Sequence, residues 1–89
     1  MPKVQQPEVF NRTGFTLESV RALPLLGRAV SKWRQRNIEL YQHPTDENLV
    51  VSVGTTFDGK MMVVADDETK DSWATALEYA GRGKVYVSD

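Results

Sequence analysis

Two apolar, β-branched runs that flank Asp58 and Gly59 are the clearest feature of the hydrophobic pattern. They lie in the stretch 49–65, which reads LVVSVGTTFDGKMMVVA. Asp-Gly between such runs favours a two-residue type I′ turn, because both central residues of that turn need a positive φ. The pattern therefore predicts an antiparallel hairpin in which Val53 faces Val64. The residues expected on its core-facing side are Leu49, Val51, Val53, Met62 and Val64.

Upstream of the hairpin, apolar residues recur at steps of three and four, which is the spacing of one helix face. These residues are Val20, Leu23, Leu26, Val30 and Trp33. Thr16 can serve as the N-cap of a helix that begins at Leu17. Because Trp33 continues the apolar face, it is expected in the core.

Pro24 interrupts this helical pattern. A proline inside a helix removes a hydrogen bond and costs about 3 kcal/mol. The prediction is therefore an N-terminal helix kinked or split at Pro24, with a first part ending near Ala22 and a second part from Leu25 to about Arg36.

Three further elements follow from the remaining pattern. Alternating polarity over 37–42, NIELYQ, predicts a strand that joins the hairpin in a three-stranded antiparallel meander. A helix is then expected, capped by Thr69 or Asp71 and ended by Gly81, with the acidic residues 66–68 at its N-terminus. Its buried face comprises Trp73, Ala76, Leu77 and Ala80. A last strand is predicted over 84–88, KVYVS.

Together these elements predict a small α+β fold with an N-terminal helix, a three-stranded meander, one helix and a C-terminal strand. A chain of 89 residues has apolar surface for one core, so a single domain is expected. Residues 1–14 contain two prolines and show no sustained periodicity. We therefore predict a flexible N-terminal arm at 1–14 and one domain at 15–89.

The composition narrows the class of protein. A hydrophobic content of 40% with 26% charged residues is typical of a globular chain. The longest unbroken apolar run, 61–65, is far shorter than the roughly 20 residues that span a bilayer, so no membrane partner is expected. The chain contains no cysteine, which excludes disulfides and thiolate metal sites and fits a cytoplasmic protein.

Charge is divided unequally along the chain. Residues 1–37 carry a net charge of +5, whereas residues 38–89 carry a net charge of -6. This asymmetry favours an anionic partner or contact between copies of the chain, and it equally fits charges that balance within the molecule. The cations expected at a partner-binding surface, for protein or nucleic acid, are Arg21, Arg28, Lys32, Arg34 and Arg36.

No residue pattern indicates catalysis. The chain has one histidine, His43, and it lacks a cysteine nucleophile, a metal-ligand spacing and a nucleophile elbow. We therefore expect no enzyme activity, no catalytic residue, no metal and no cofactor. The leading hypothesis is a small module that binds another protein, as an accessory, inhibitory or assembly protein of the kind that phages and mobile elements encode.

The alternative hypothesis is nucleic-acid binding by a basic helix around Arg28 to Arg36. Cations of that segment would contact phosphates while Trp33 stacks on a base. The overall net charge of -1 argues against this alternative. Self-association is a further hypothesis, either through the divided charge or through the C-terminal strand, because an edge strand offers unpaired backbone groups.

Overall fold

The fold is built around a β-sheet whose central strands come from consecutive hairpins. The computed structural model describes residues 9–11, 13–58 and 63–89. The strands are β1 (Val9–Asn11), β2 (Leu25–Ser31), β3 (Arg36–Gln42), β4 (Leu49–Thr56), β5 (Val63–Thr69) and β6 (Tyr86–Ser88). The helices are α1 (Leu17–Arg21) and α2 (Ala74–Gly81), and a 3₁₀ turn at Lys70–Trp73 precedes α2.

The strands form one mixed sheet in the order β1-β5-β4-β3-β2-β6. Strands β2 to β5 make an antiparallel meander, to which β1 adds in parallel beside β5 and β6 in parallel beside β2. The chain is therefore a small α+β domain with a mixed sheet and two helices, and the predicted three-stranded meander is an undercount. No helix among the described residues is long and apolar enough to cross a bilayer.

The predicted N-terminal helix, kinked or split at Pro24, is present only as its first part, Leu17–Arg21, with Thr16 as the N-cap. The predicted second part, from Leu25 to about Arg36, is not found, because the residues after Pro24 form strand β2. Proline disfavours a helical conformation in the residue before it, Gly27 is a poor helix former, and Val30 favours strands. The apolar spacing that predicted a helix kinked or split at Pro24 thus combines residues of α1 with residues of a hairpin.

The predicted hairpin over 49–65 is present as β4 and β5, but its register differs from the prediction by one residue. Val53 pairs with Ala65 instead of Val64. With this register, an odd number of residues lies between any two paired residues of β4 and β5, whereas a two-residue turn would leave an even number. Because a shift of one residue exchanges the faces of a strand, Val64 lies on the face opposite to the predicted one. The predicted turn residue Gly59 and the predicted core residue Met62 lie outside the described residues.

The predicted arm at 1–14 lies only partly within the described residues. Residues 1–8 and 12 are outside them, whereas Val9–Asn11 pair with β5 as strand β1. The flexibility of the arm therefore stays a prediction.

Each face of the sheet carries one helix and one buried cluster. On the α1 face the buried residues are Val20, Tyr41, Val51, Val53, Val63 and Ala65. On the α2 face they are Ala29, Leu40, Val50 and Ala76. Successive residues of a strand point to opposite faces, so β3 and β4 contribute to both clusters. The sheet is consequently the middle layer of the domain.

Helix α2 is confirmed, and it approaches strand β2 closely at Gly27. A methyl group at Gly27 would lie only 2.6 Å from the Cβ atom of Ala80. A glycine at such a position allows one element to come near the backbone of another. The predicted buried face of α2 is also present, since Trp73 and Leu77 pack against the cluster that contains Ala76.

Helix α2 ends at Gly81 as predicted, and Gly83, two residues later, adopts a positive φ of 70°. The N-terminal end of α2 differs from the prediction. The acidic residues 66–68 belong to β5, so their side chains alternate between the two faces of the sheet. Thr69 caps the 3₁₀ turn, where its Oγ1 accepts a hydrogen bond from the backbone N–H of Ser72 at 3.4 Å.

Candidate functional site

The five cations expected at one partner-binding surface lie in three separate places, because β2 and β3 form a hairpin instead of a helix. Arg21 and Arg28 lie beside Glu39 on the α1 face. Lys32 and Arg34 lie in the turn between the two strands. Arg36 begins β3, and its side chain crosses Gly54 on the α2 face. The predicted basic helix around Arg28 to Arg36 is therefore wrong, because this segment forms β2, a turn and the start of β3.

Glu39 balances the two cations on the α1 face. Its carboxylate lies 3.9 Å from Nη2 of Arg21 and 4.0 Å from Nε of Arg28. Both arginine side chains are more than half exposed, so each ion pair contributes at most about 1 kcal/mol to stability. At this position the charges are compensated within the protein, as the internal-balance alternative expects.

Tyr41 follows Glu39 on the same face of β3 and is buried beneath α1. Burial, and after it the charge of Glu39, raises the pKa of the Tyr41 phenol above its ordinary value of 10.0, while Arg21 opposes the rise. The phenol therefore stays protonated at neutral pH. A protonated, buried phenol serves the packing of this face and supplies no general base.

The turn between β2 and β3 is an anchored structure. We call it the hairpin tip, and it consists of Lys32, Trp33, Arg34 and Gln35. The backbone N–H of Lys32 donates to the carbonyl of Ser88 at 2.9 Å, which ties the tip to β6. The backbone N–H of Phe57 donates to the carbonyl of Gln35 at 2.9 Å, which ties it to the end of β4. The tip is thus held from both sides.

Trp33 projects from the hairpin tip and is 84% exposed. The prediction that Trp33 lies in the core is wrong, because the turn places it beyond the last residues of the sheet. Phe57, next to the tip, is 47% exposed. Lys32 and Arg34 flank Trp33, and neither forms an ion pair with a residue in the described part of the chain. The tip therefore presents an exposed indole ring between two uncompensated cations.

Strand β6 is a second exposed feature. It lies at one edge of the sheet and pairs with β2 alone. Val85 and Val87 are 47% and 49% exposed. The open edge fits the expectation of unpaired backbone groups at the C-terminal strand. Self-association through this strand stays a prediction.

The sequence identified the cations but predicted them on one surface, and it did not predict the exposed aromatic residues. A signal for the tip exists in the sequence, because Trp33 is the only apolar residue in the stretch 31–37, SKWRQRN. Such a polar stretch between two apolar ones is typical of a turn. Phe57 carries a weaker signal, since it stands directly before the polar Asp58 at the end of an apolar run.

The described residues contain no group of three or more side chains that could hold a metal ion. A comparison of the chain with protein-family models, curated proteins and solved structures gives no match. A functional proposal for this protein therefore depends on the geometry of its own residues.

Proposed function

We propose that this protein is a small non-enzymatic module that binds another protein in the cytoplasm, and that the hairpin tip is its main contact surface. The observation that supports this proposal is the 84% exposure of Trp33 between Lys32 and Arg34. Tryptophan and arginine are enriched among the few residues that supply most of the binding energy in protein interfaces. An indole that contacts no core gives little to folding, so its burial against a partner is its main energetic contribution.

The anchoring of the tip favours tight binding. Hydrogen bonds of 2.9 Å to Ser88 and from Phe57 hold its backbone before a partner arrives. A surface that is already ordered loses less conformational entropy on association. A partner with an apolar pocket bordered by acidic groups would match the indole and its two flanking cations. Whether the role is accessory, inhibitory or one of assembly would depend on which protein supplies that pocket.

Nucleic-acid binding is the second candidate, and the same tip supports it. An aromatic ring beside cations is the combination that stacks on bases and contacts phosphates in single strands. Two observations make this candidate weaker than protein binding. Arg21 and Arg28 lie beside Glu39 instead of at the tip. Lys32 and Arg34 would neutralise few phosphates, so the affinity would depend on salt with a slope of about 0.7 for each phosphate contacted.

The proposal can be tested by affinity capture from a cell lysate with three forms of the intact chain as bait. The forms are the wild type, a tip variant with Trp33→Ala and Arg34→Ala, and a control variant with Arg82→Ala. Arg82 is exposed at the end of α2, and among the described residues it forms one ion pair, with Glu78 of the same helix at 2.9 Å, so its loss removes a cation outside the tip. Each bait is captured with and without nuclease, at low and high salt.

We expect the wild type and the control to capture one discrete protein, with or without nuclease. The tip variant should not capture this protein. With the purified partner, Trp33→Ala should cost about 2 kcal/mol or more, which is roughly a thirtyfold loss of affinity. Equal recovery by the tip variant would refute the role of the tip. Recovery of nucleic acid at low salt only, again dependent on Trp33, would replace protein binding by the second candidate.

A further inference from the structure

The loop between β3 and β4, residues 43–48, is built around the side chain of His43 and lies at the end of β3 opposite to the hairpin tip. The ring atom Nδ1 of His43 accepts a hydrogen bond from the backbone N–H of Thr45 at 3.2 Å and another from the backbone N–H of Asp46 at 3.0 Å. Because a backbone N–H can only donate, Nδ1 must carry a lone pair here. The neutral ring therefore holds its proton on Nε2.

The loop is connected to the segments that lead into both helices. The backbone N–H of Lys70 donates to the carbonyl of Asn48 at 2.8 Å, which ties the loop to the 3₁₀ turn before α2. The imidazole of His43 lies edge-on to the ring of Phe15, with the two ring centroids 6.2 Å apart. Phe15 packs against the buried cluster on the α1 face. A change in the position of the imidazole would therefore alter contacts outside the loop.

A second proton on the ring is incompatible with this arrangement. Histidine gains that proton in the mildly acidic range, and both nitrogens of the charged ring are donors. A proton on Nδ1 would point at the N–H groups of Thr45 and Asp46, and both hydrogen bonds would be lost. The Thr45 hydroxyl, 3.4 Å from Nδ1, could accept from the new proton, but it would replace neither of the lost bonds.

In the described part of the chain, His43 forms no ion pair that would stabilise its charged form. The carboxylate of Asp46 accepts a hydrogen bond from the backbone N–H of Asn48 at 2.9 Å. The charged residues of the loop, of α1 and of the 3₁₀ turn are Glu18, Arg21, Asp46, Glu47, Lys70 and Asp71. These groups carry both signs, and none of the carboxylates is at ion-pair distance from the imidazole. Protonation would thus cost the loop its two hydrogen bonds without an ion pair in return.

We propose that the loop 43–48 is a pH-sensitive element, which is closed while His43 is neutral and opens when the imidazole is protonated. Opening releases the N–H groups of Thr45 and Asp46 to water and separates the imidazole from Phe15. The unfolded chain binds the same proton without losing any bond. It therefore holds more protons than the closed protein in mild acid, and the stability of the domain falls as pH falls. The loop and the hairpin tip lie at opposite ends of β3, so this proposal and the protein-binding proposal can fail independently.

The test is an NMR titration of the intact chain from about pH 8 to about pH 5, with urea unfolding at both ends of this range. His43 is the only histidine of the chain, so its ring C–H signals are identified at once. The main variant is His43→Asn, because Oδ1 of asparagine takes the place of Nδ1 as an acceptor and does not titrate. The matched control is Asp46→Asn, which removes a carboxylate of the loop and keeps an oxygen that accepts from Asn48.

In the wild type we expect the amide signals of Thr45 and Asp46 to shift with the same midpoint as the ring signals of His43. Between the two ends of the pH range, the equilibrium constant for unfolding should rise about tenfold more in the wild type than in His43→Asn, since one extra proton bound by the unfolded chain changes this constant tenfold for each pH unit. Asp46→Asn should keep the wild-type response, because the proton binds to the imidazole.

The wild-type titration decides the proposal even where a variant fails to fold. The proposal is wrong if the ring of His43 gains no proton in this range, or if it does so while the amide signals of Thr45 and Asp46 stay constant. It is also wrong if His43→Asn, with a wild-type amide spectrum at the upper pH, loses as much stability in acid as the wild type does. A response that disappears in Asp46→Asn would assign the pH dependence to the carboxylate and overturn the role of the imidazole.

Discussion

Replacement of Gly27 by alanine tests the closest contact between α2 and the sheet. The new Cβ atom would lie 2.6 Å from the Cβ atom of Ala80. Two carbon atoms prefer a separation of about 3.5 to 4.0 Å, so α2 would have to move outward by about 1 Å. Such overpacking costs about 1–3 kcal/mol. In a domain of this size each kcal/mol lowers Tm by about 4–8 °C.

The assay is urea unfolding followed by circular dichroism, with three companion variants. Ala80→Gly removes the opposing methyl group and alone should cost about 1 kcal/mol through its lower helix propensity. The double variant with Gly27→Ala and Ala80→Gly should be more stable than the sum of the single effects, by about 1 kcal/mol. Gly81→Ala is the control, because its Cβ would meet no atom within 4 Å, and it should be neutral or slightly stabilising.

Two outcomes would refute this reasoning. One is a Gly27→Ala variant that is at least as stable as the wild type. The other is a double-mutant cycle without coupling between Gly27 and Ala80. Either result would mean that α2 does not lie against β2 as closely as the structure places it.

Substitutions at two other positions test the α1 side of the sheet. Because the pKa of Tyr41 is raised in the folded state, the native protein holds this proton more tightly than the unfolded chain, and stability should fall as pH rises above 10.0. Urea unfolding of the wild type and Tyr41→Phe at about pH 8 and about pH 11 should show a larger loss for the wild type, and equal losses would contradict the expectation. Thr16→Ala should cost about 1 kcal/mol, since Thr16 Oγ1 accepts from the backbone N–H of Ser19 at 3.1 Å. Thr16→Ser keeps this acceptor and should unfold at nearly the wild-type urea concentration; equal losses in both variants would refute the role of the cap.

The sequence predicts an element well where the local pattern of apolar residues fits only one type of secondary structure. The alternation in NIELYQ and KVYVS is that of strands β3 and β6, and the spacing from Trp73 to Ala80 is that of α2. The pattern of the segment from Leu25 to Arg36 fits either a helix or a strand. Its apolar spacing fits a helix, whereas Gly27 and Val30 favour the strand. The close contact of Gly27 with α2, which is distant in sequence, also favours the strand and cannot be read from the local pattern.

The candidate sites were harder to predict than the elements. Composition alone identified Arg34 and Arg36, but a helix and a hairpin distribute neighbouring side chains differently. In the hairpin Arg34 belongs to the turn, whereas Arg36 belongs to β3 and its side chain lies over the sheet. The hydrogen bond from the Ser52 hydroxyl to the Glu68 carboxylate depends on the register of β4 and β5, and that register depends on the length of a loop. A local sequence pattern does not determine that length.

The two edge strands have a consequence for the order in which the domain assembles. Val9 pairs with Val63, and Ala29 pairs with Tyr86, so each edge joins residues separated by more than half of the chain. Closing such long loops loses chain entropy before the new contacts compensate for it. The neighbouring hairpins of β2 to β5 close much shorter loops. The meander should therefore form first during folding and exchange its amide hydrogens most slowly, whereas β1 and β6 dock last and open first.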